Sequence, residues 1–258
     1  MWHNQSRRKF GNLAAISKGS GPRLLLLHGV GLRAEAWAAQ IDEFANSYHV
    51  IAPDMPGHGA SPLQPGLTSL ADYASQLAVF MDEPLFIVGH SMGAMLALHL
   101  AATMPAKVKA VAALNAVFER SAEASAAVQL RAMALDGQAV PDPGPTLDRW
   151  FGDGFAAECA ACHAWLSSID PVGYQRAYRV FAGVRGSEPK QIAELTMPAL
   201  FMTGTHDPNS TPAMADAMAA LAPQGEVTII GNAAHMMTMT HAMQVNQALH
   251  AFLKLAGR

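Results

Sequence analysis

Apolar residues follow two alternating patterns along the chain. Short continuous apolar runs, bounded by Gly, Pro or polar residues, predict buried strands. They lie at residues 10–16, 23–27, 48–52, 85–88, 108–114, 198–204 and 226–230. Most of the longer segments between them repeat apolar residues every three or four positions, as helices packed on one face do. Strands that alternate with helices form parallel sheets. The pattern therefore predicts an α/β fold with a mostly parallel, doubly wound sheet of about eight strands.

The alternation stops between about residues 116 and 195. This stretch is rich in aromatic residues and predicts several helices in succession, at about 119–135, 146–167 and 171–183. A helical insertion that follows the carboxyl end of a strand lies over that edge of the sheet, where it closes a pocket. We therefore predict a core formed by residues 1–115 and 196–258 and a helical cap formed by residues 116–195.

The sequence Gly89-His-Ser-Met-Gly93 lies between a predicted strand and a predicted helix. A strand that turns directly into a helix holds its corner residue, here Ser91, in a strained conformation. The flanking chain passes so close that only Gly leaves room two residues away on either side. The corner projects the Ser91 hydroxyl clear of the sheet, next to the positive end of the helix dipole. The spacing favours Ser91 as a nucleophile; the alternative is a serine in an ordinary strand–helix turn.

A nucleophilic serine needs a base within hydrogen-bond reach, and the base needs an acid that orients it. In folds with this kind of corner, the acid and then the histidine follow the serine along the chain. Asp207 and His235 each follow a predicted strand closely, so both are expected at the sheet edge where Ser91 emerges. His241 and His250 fall in the last predicted helix and fit less well. The chain order predicts a catalytic triad of Ser91, Asp207 and His235.

Two further loops follow predicted strands at the same edge. In His28-Gly-Val-Gly31 the glycines leave the backbone N–H groups uncrowded and free to bind an oxyanion, although a tight turn without chemical function explains the same residues. The loop at 53–61 contains Asp54 and His58. We interpret it as a turn in which Asp54 caps nearby N–H groups, rather than as a catalytic loop.

These motifs resemble the α/β-hydrolase fold superfamily over nearly the whole chain. Within it, the chain is most similar to the small esterases, the enol-lactonases and the cofactor-free haloperoxidase-like group. The matching stretches are residues 28–31, 54–61, 89–93, 204–207 and 232–235. The resemblance implies an oxyanion hole formed by the backbone N–H groups of Val30 and Met92, and a cap between the sixth and seventh strands of the fold. One departure is Ala234, since many relatives have Gly before this histidine.

The resemblance and the triad predict a serine hydrolase that cleaves a small carboxylic ester or lactone through an acyl-enzyme on Ser91. His235 takes the hydroxyl proton and Asp207 orients the imidazole, while the N–H groups of Val30 and Met92 stabilise the oxyanion. No metal or organic cofactor is expected. Two alternatives remain open. One is hydrolysis of a carbon–carbon bond in a vinylogous diketone, which uses the same triad; the other is a non-catalytic small-molecule receptor on the same fold.

The pocket is predicted only in outline. Methionines in the site loops and aromatic residues in the cap favour an apolar, adaptable pocket for a small acyl group, with Met95, Trp150 and Met236 as candidate lining residues. The same methionines also suit the filling of gaps in the core. Arg33 follows the 28–31 loop and is a candidate partner for a substrate carboxylate, although an exposed helix start explains it more simply.

Composition narrows the classes of function. Of 258 residues, 51% are hydrophobic and 14% are charged, the formal net charge is −3, and no large Lys/Arg cluster occurs, which argues against nucleic acid as a partner. No apolar stretch reaches the ~18 residues of a membrane span, and the first residues lack the apolar segment of a signal peptide. We predict a cytoplasmic protein of unknown oligomeric state that acts on a small molecule. Cys159 and Cys162 are interpreted as core thiols rather than as a redox pair or metal site.

Overall fold

The computed structural model describes residues 4–152 and 154–256, so residues 1–3 and 257–258 of the predicted core and residue 153 of the predicted cap lie outside it. Its described strands are Arg8–Phe10 (β1), Leu13–Lys18 (β2), Arg23–Leu27 (β3), His49–Pro53 (β4), Leu85–His90 (β5), Val108–Leu114 (β6), Ala199–Gly204 (β7) and Gly225–Ile230 (β8). They form one sheet in the order β1-β2-β4-β3-β5-β6-β7-β8. The β1–β2 and β2–β4 pairs are antiparallel and the other pairs are parallel. The prediction of a mostly parallel sheet of about eight strands is confirmed.

The described helices connect these strands. They are Ala38–Phe44 (α1), Leu70–Leu77 (α2), Met92–Thr103 (α3), Ala122–Ala134 (α4), Gly144–Phe151 (α5), Ala156–Ser167 (α6), Pro171–Ala182 (α7), Pro189–Ala193 (α8), Pro212–Leu221 (α9), Met237–Thr240 (α10) and Ala242–Ala256 (α11). Their starts follow local chemistry. Ser69 and Asp72 form a capping box at α2, and Pro171 and Pro212 occupy first turns, where a missing N–H costs little. No helix in the described part of the chain is long and apolar enough to cross a bilayer.

Several predicted elements are divided in the structure. The predicted strand 10–16 is a hairpin, because the chain turns at Gly11 and Asn12 between β1 and β2. β4 then lies between β2 and β3, so the two strands around the turn at 18–22 are not neighbours. The predicted helix 33–47 is a 3-10 turn at Ala34–Trp37 followed by α1, and the predicted helix 239–255 is α10 and α11, which a break at His241 separates. Apolar spacing continues across the two helix breaks and does not reveal them, whereas Gly11-Asn12 is a dipeptide typical of hairpin turns.

β3 shows how the sheet separates two layers of core. Leu24, Leu25, Leu26 and Leu27 are each 0% exposed. Successive side chains of a strand point to opposite faces. Leu25 and Leu27 therefore pack in the layer that contains residues of α2 and α3, while Leu24 and Leu26 pack in the layer that contains residues of α1 and α11. A strand buried on both faces has no polar side to alternate with, which explains the continuous leucine run.

Helices α4–α8 lie between β6 and β7 in the chain. Side chains of α5, α6 and α7 reach the loop after β3 at Gly31, whereas α8 packs against α3 and α9. One close approach is between α7 and the loop that follows β4. A Cβ atom added to Gly173 would lie 2.3 Å from the Gly57 carbonyl oxygen, so neither residue has room for a side chain there. A buried cluster of Val128, Ala132 and Ala182 joins α4 to α7. These helices thus cover the sheet edge where the loops converge.

Candidate functional site

Ser91 forms the corner between β5 and α3. Its backbone has φ +57° and ψ −120°, outside the regions that a non-glycine residue ordinarily adopts. A Cβ on Gly89 would lie 2.1 Å from the Gly93 carbonyl oxygen, and a Cβ on Gly93 would lie 2.1 Å from the Leu27 carbonyl oxygen. Both distances are far shorter than the van der Waals radii of carbon and oxygen allow. The two glycines therefore let α3 start against β5 and β3, and this packing holds Ser91 in the strained corner.

Asp207 and His235 lie in the loops after β7 and β8, and both are buried. The His235 Nδ1 atom lies 2.8 Å from the Asp207 Oδ2 atom. The two loops meet because β7 and β8 are neighbouring parallel strands whose carboxyl ends share one edge of the sheet. Ser91 and His235 line the same cavity. The structure thus brings together the three residues that chain order singled out.

Asp207 is held as a carboxylate by its surroundings. The Asn115 Nδ2 atom donates to its Oδ2 at 2.8 Å, and the backbone N–H groups of Asn209 and Ser210 donate to its Oδ1 at 2.8 and 3.2 Å. Burial alone would raise the pKa of Asp207, but His235 and these hydrogen bonds outweigh burial and lower it. An ionised Asp207 accepts a hydrogen bond from the Nδ1–H of His235, which leaves Nε2 with the lone pair that a base needs.

His90, which directly precedes Ser91 in the serine motif, fixes the backbone of His235. Its Nε2 lies 2.8 Å from the His235 carbonyl oxygen, and the two rings are 4.9 Å apart. Burial, with the charge of His235, lowers the pKa of His90 to about 3, so His90 is neutral and its Nε2–H donates. Sequence reasoning did not single out His90, because only its position within the serine motif distinguishes it.

The backbone around Val30 and Met92 leaves two N–H groups free. No hydrogen bond within the described residues uses the N–H of either residue. Gly29 is close to Ser91, since a Cβ added there would lie 3.1 Å from the Ser91 Cβ. The next N–H along the loop, that of Gly31, donates to His58 Nε2 at 3.1 Å. His58 therefore fixes the loop while the Val30 N–H remains available for a ligand.

Asp54 caps local backbone groups, as predicted. It accepts hydrogen bonds from the N–H groups of Ala34 at 2.8 Å and Ala60 at 2.9 Å, and from Arg7 Nε at 3.0 Å. Arg7 also pairs with the buried carboxylate of Glu35. Despite burial, which raises it, the pKa of Asp54 is lowered by Arg7 and these N–H groups. The network joins the segment before β1 to the loops after β3 and β4.

A cavity of about 400 Å³ opens between the Ser91 corner and helices α4, α5 and α7. Trp150 lines it, and its ring centroid lies 6.1 Å from that of His235. Met95 and Met236, the other two candidate lining residues, are 1% and 0% exposed and do not line it. Both are packed in the protein interior. They therefore fill gaps in the core, which was the alternative interpretation of these methionines.

The cavity wall is more polar than the sequence suggested. Three arginines line it, Arg120 before α4, Arg131 on α4 and Arg149 on α5. Arg33, the arginine that sequence analysis considered for a substrate carboxylate, instead pairs with Glu35 at 3.0 Å and lines a separate cavity. The three wall arginines carry no motif, and only the packing of their helices reveals them.

Cys159 and Cys162 lie on α6. Both are free thiols, with Cys162 buried and Cys159 partly buried. The Cys162 Sγ lies 3.7 Å from the Met239 Sδ, and burial raises the pKa of this thiol above its usual range. A thiol that stays protonated is a poor nucleophile and a poor metal ligand, so Cys162 acts as a small apolar side chain, as interpreted from the sequence.

Comparison with known proteins identifies the family of this chain. The model of the alpha/beta hydrolase family matches residues 24–248. Over 245 residues the chain is 39% identical to an (E)-2-((N-methylformamido)methylene)succinate hydrolase of Acinetobacter baylyi, covering 93% of each chain. It is 30% identical to a pimeloyl-[acyl-carrier protein] methyl ester esterase of Xanthomonas campestris pv. campestris, covering 91% of this chain and 96% of the esterase. The malate-bound structure of a thermophilic esterase from Thermogutta terrifontis superposes with a TM-score of 0.88 at 24% identity, covering 98% of this chain and 99% of the esterase. The chain belongs to the alpha/beta hydrolase family.

Proposed function

We propose that this protein is a serine hydrolase that cleaves a small carboxylic ester or lactone, with Ser91 as nucleophile, His235 as base and Asp207 as the acid that orients His235. The main support is one cavity that contains both the strained Ser91 corner and a His235 whose Nδ1 is bonded to a buried carboxylate. A serine held in an unfavourable conformation beside an oriented imidazole is the arrangement that acyl transfer requires.

In the proposed reaction, His235 Nε2 takes the proton of the Ser91 hydroxyl while the oxygen attacks the substrate carbonyl carbon. The carbon–oxygen bond to the leaving alcohol then breaks, and His235 returns the proton to that alcohol. Water repeats the sequence on the acyl-enzyme, which releases the acid and frees Ser91. Asp207 stays ionised throughout and stabilises the imidazolium that forms twice in each cycle.

The oxyanion of each tetrahedral intermediate is assigned to the N–H groups of Val30 and Met92. Both are free of other hydrogen bonds in the described residues, and Met92 is the first residue of α3, where the helix dipole adds positive potential. One such donor typically contributes about 10²- to 10³-fold to kcat. Residues 116–195 are assigned as a cap over the core formed by residues 1–115 and 196–258, and its helices supply the wall opposite Ser91.

A second candidate reaction is hydrolysis of an amide-type bond in a methylenesuccinate. It is favoured by the 39% identity to the (E)-2-((N-methylformamido)methylene)succinate hydrolase over 93% of both chains. The same nucleophile, base and oxyanion donors serve an amide carbonyl, with an amine rather than an alcohol as leaving group. Hydrolysis of a carbon–carbon bond in a dione and binding without turnover remain the rivals that the test below separates.

The test combines covalent labelling with a substrate panel. A fluorophosphonate probe should label the wild-type protein and not Ser91→Ala, whereas Ser121→Ala, which removes another hydroxyl of the same cavity, should keep the label. The panel contains esters, lactones, an N-acylaminomethylene succinate and a vinylogous dione. Turnover confined to the dione would replace the ester proposal with carbon–carbon hydrolysis. Labelling that persists in Ser91→Ala would remove the nucleophile assignment.

A further inference from the structure

The three arginines of the cavity wall have no acidic partner in the part of the chain that the structure describes. Among residues 4–152 and 154–256, no carboxylate forms an ion pair with Arg120, Arg131 or Arg149. Asp148, whose charge acts on Arg149, does not pair with it. Arg7, Arg23 and Arg33 are also partly buried, yet each of them pairs with a carboxylate.

Arg120 is the most deeply placed of the three, with 3% of its surface exposed. Its Nη1 donates to the Val184 carbonyl oxygen at 3.0 Å, and its guanidinium carbon lies 4.6 Å from the ring centroid of Phe181. Its Nη2 is buried and has no hydrogen-bond partner among the described residues. Burial, supported by the charge of Arg131, lowers the pKa of Arg120. A buried cationic donor without an acceptor lowers the stability of the fold. A bound ligand that supplies the acceptor would offset this cost.

Arg131 and Arg149 face the same space. The Arg131 Nε donates to the Tyr178 hydroxyl at 3.0 Å, which leaves both terminal nitrogens without an acceptor in the described residues. Arg149 Nη2 donates to the Thr146 hydroxyl at 3.0 Å. Burial and the charge of Arg131 lower the pKa of Arg149. Tyr178 and Thr146 thus hold two guanidinium groups at the wall while neutralising neither.

We propose that Arg120, Arg131 and Arg149 form a carboxylate-binding subsite, and that the substrate carries two carboxylates beside the acyl group that Ser91 attacks. This inference rests on the proposed function of the same cavity. A guanidinium matches a carboxylate in shape and binds it through two parallel hydrogen bonds. Two carboxylates offset most of the three positive charges, whereas one would leave two charges uncompensated in a partly enclosed cavity.

The position of the subsite identifies a small molecule as its ligand. The arginines line a cavity of about 400 Å³ shared with Ser91 and His235, beneath α4, α5 and α7. An acidic protein or a membrane surface would need its basic partners on an exposed face, which this wall is not. The substrate class is therefore a small dicarboxylate whose ester, lactone or amide carbonyl reaches Ser91.

Binding is tested without catalysis in the Ser91→Ala variant by isothermal titration calorimetry. Succinate should bind at least 10-fold more tightly than succinamide, its neutral analogue of similar shape. Arg131→Gln in the same background should weaken succinate binding at least 10-fold. The matched control Arg176→Gln, on α7 but outside the cavity wall, should change it less than twofold. Equal binding of succinate and succinamide would overturn the subsite, and tighter binding of inorganic phosphate than of succinate would overturn its assignment to carboxylates.

Kinetics with aryl esters that carry zero, one or two carboxylates test the charge requirement. In the wild type, kcat/KM should rise with each carboxylate, by at least 100-fold in total. Arg131→Gln should reduce kcat/KM for the dianionic ester at least 10-fold more than for the neutral ester, mainly through KM. Arg120→Lys, which keeps the charge but removes the forked donor, should fall between the wild type and Arg131→Gln. A dianionic ester that reacts no better than the monoanionic one would contradict the assignment of two carboxylates.

These outcomes are separable from those of the proposed function. Succinate binding that depends on Arg131, in a protein that turns over no ester, lactone or amide, would support the subsite and refute the hydrolase. Turnover that requires Ser91 but shows no preference for anionic substrates would support the hydrolase and refute the subsite.

Discussion

The carboxyl edge of the sheet and the helical wall opposite it differ in how their polar groups are satisfied. At the edge, both oxygens of Asp207 accept hydrogen bonds, and the buried His58 and His90 each bond a backbone group. In the wall, Arg120 Nη2 is buried without a partner and the terminal nitrogens of Arg131 have no acceptor in the described residues. The side chains of Asp207, His58 and His90 are thus held without a ligand, whereas the wall leaves cationic groups without an acceptor in the described residues. We therefore expect changes at the edge to affect kcat or folding, and changes in the wall to affect KM.

Asp207→Asn should have the largest effect. An amide would donate to His235 Nδ1 rather than accept from it, so Nε2 would carry the proton and could not act as a base. By analogy with the same exchange in serine proteases, we expect a loss of about 10⁴-fold in kcat with little change in KM. Steady-state kinetics on the best substrate of the panel measures both values. Asp216→Asn, on the exposed face of α9, is the control, and a loss of less than about 10-fold in Asp207→Asn would refute the role of Asp207.

Arg7→Met should have the next largest effect, on stability. Arg7 is the shared partner of the buried carboxylates of Glu35 and Asp54, and removal of one partner from a buried ionic network typically costs about 3–5 kcal/mol of unfolding free energy. Urea unfolding at neutral pH measures this cost. Arg8→Met, on the exposed side of β1, should change the unfolding free energy much less.

The cost of Arg7→Met should depend on pH. Burial raises the pKa values of Glu35 and Asp54, but hydrogen bonds and charge from Arg7 bring both below their usual values. Groups with lowered pKa values stabilise the fold above their unfolded pKa values, near about 4, and lose that contribution as the pH falls through the folded values. The difference between wild type and Arg7→Met should thus be greatest at neutral pH and narrow as the pH falls to 4 and below. A difference that stays constant from pH 7 to pH 3.5 would contradict this account.

Tyr178→Phe should have the smallest effect, and it tests most directly whether the arginine wall acts on KM rather than on kcat. It removes only the hydroxyl that orients Arg131, and one hydrogen bond to a charged group contributes about 1.5 kcal/mol or slightly more. We expect KM for a dianionic ester to rise about 10-fold while kcat is nearly unchanged. Tyr48→Phe serves as control, because Tyr48 packs against Phe44 of α1 and does not line the cavity. A fall in kcat with KM unchanged would place Tyr178 in the chemistry rather than in substrate binding.

Much of the fold was predictable because its signals are local. Four leucines in succession indicate a strand buried on both faces, and all four are buried in β3. The glycines at 89 and 93 were expected from the crowding at the Ser91 corner, and an added Cβ at either position would strike backbone oxygen. The hairpin of β1 and β2 was missed although its turn, Gly11-Asn12, is a dipeptide typical of two-residue hairpins.

Within the site, the residues at strand ends were predictable and the cavity wall was not. A residue just after a parallel strand lies at the same edge as every other such residue, so the positions of Asp207 and His235 in the fold could be predicted from the strands that precede them. The lining of the cavity depends instead on how α4, α5 and α7 are rotated and packed. Met95 and Met236 were chosen for composition and proved to be buried, while Arg131 was overlooked although it faces the cavity.

The sequence by itself determined the sheet, the strained serine corner and the order of the groups proposed for chemistry, because each depends on contacts between chain neighbours or on the direction of strands. Only the tertiary structure decided which arginines meet. Nothing in the sequence distinguishes Arg33 from Arg131. In the structure, Arg33 pairs with Glu35, whereas Arg131 has no acidic partner in the described residues. Charge compensation is a property of what surrounds a side chain in three dimensions, and residues far apart in the chain supply those surroundings.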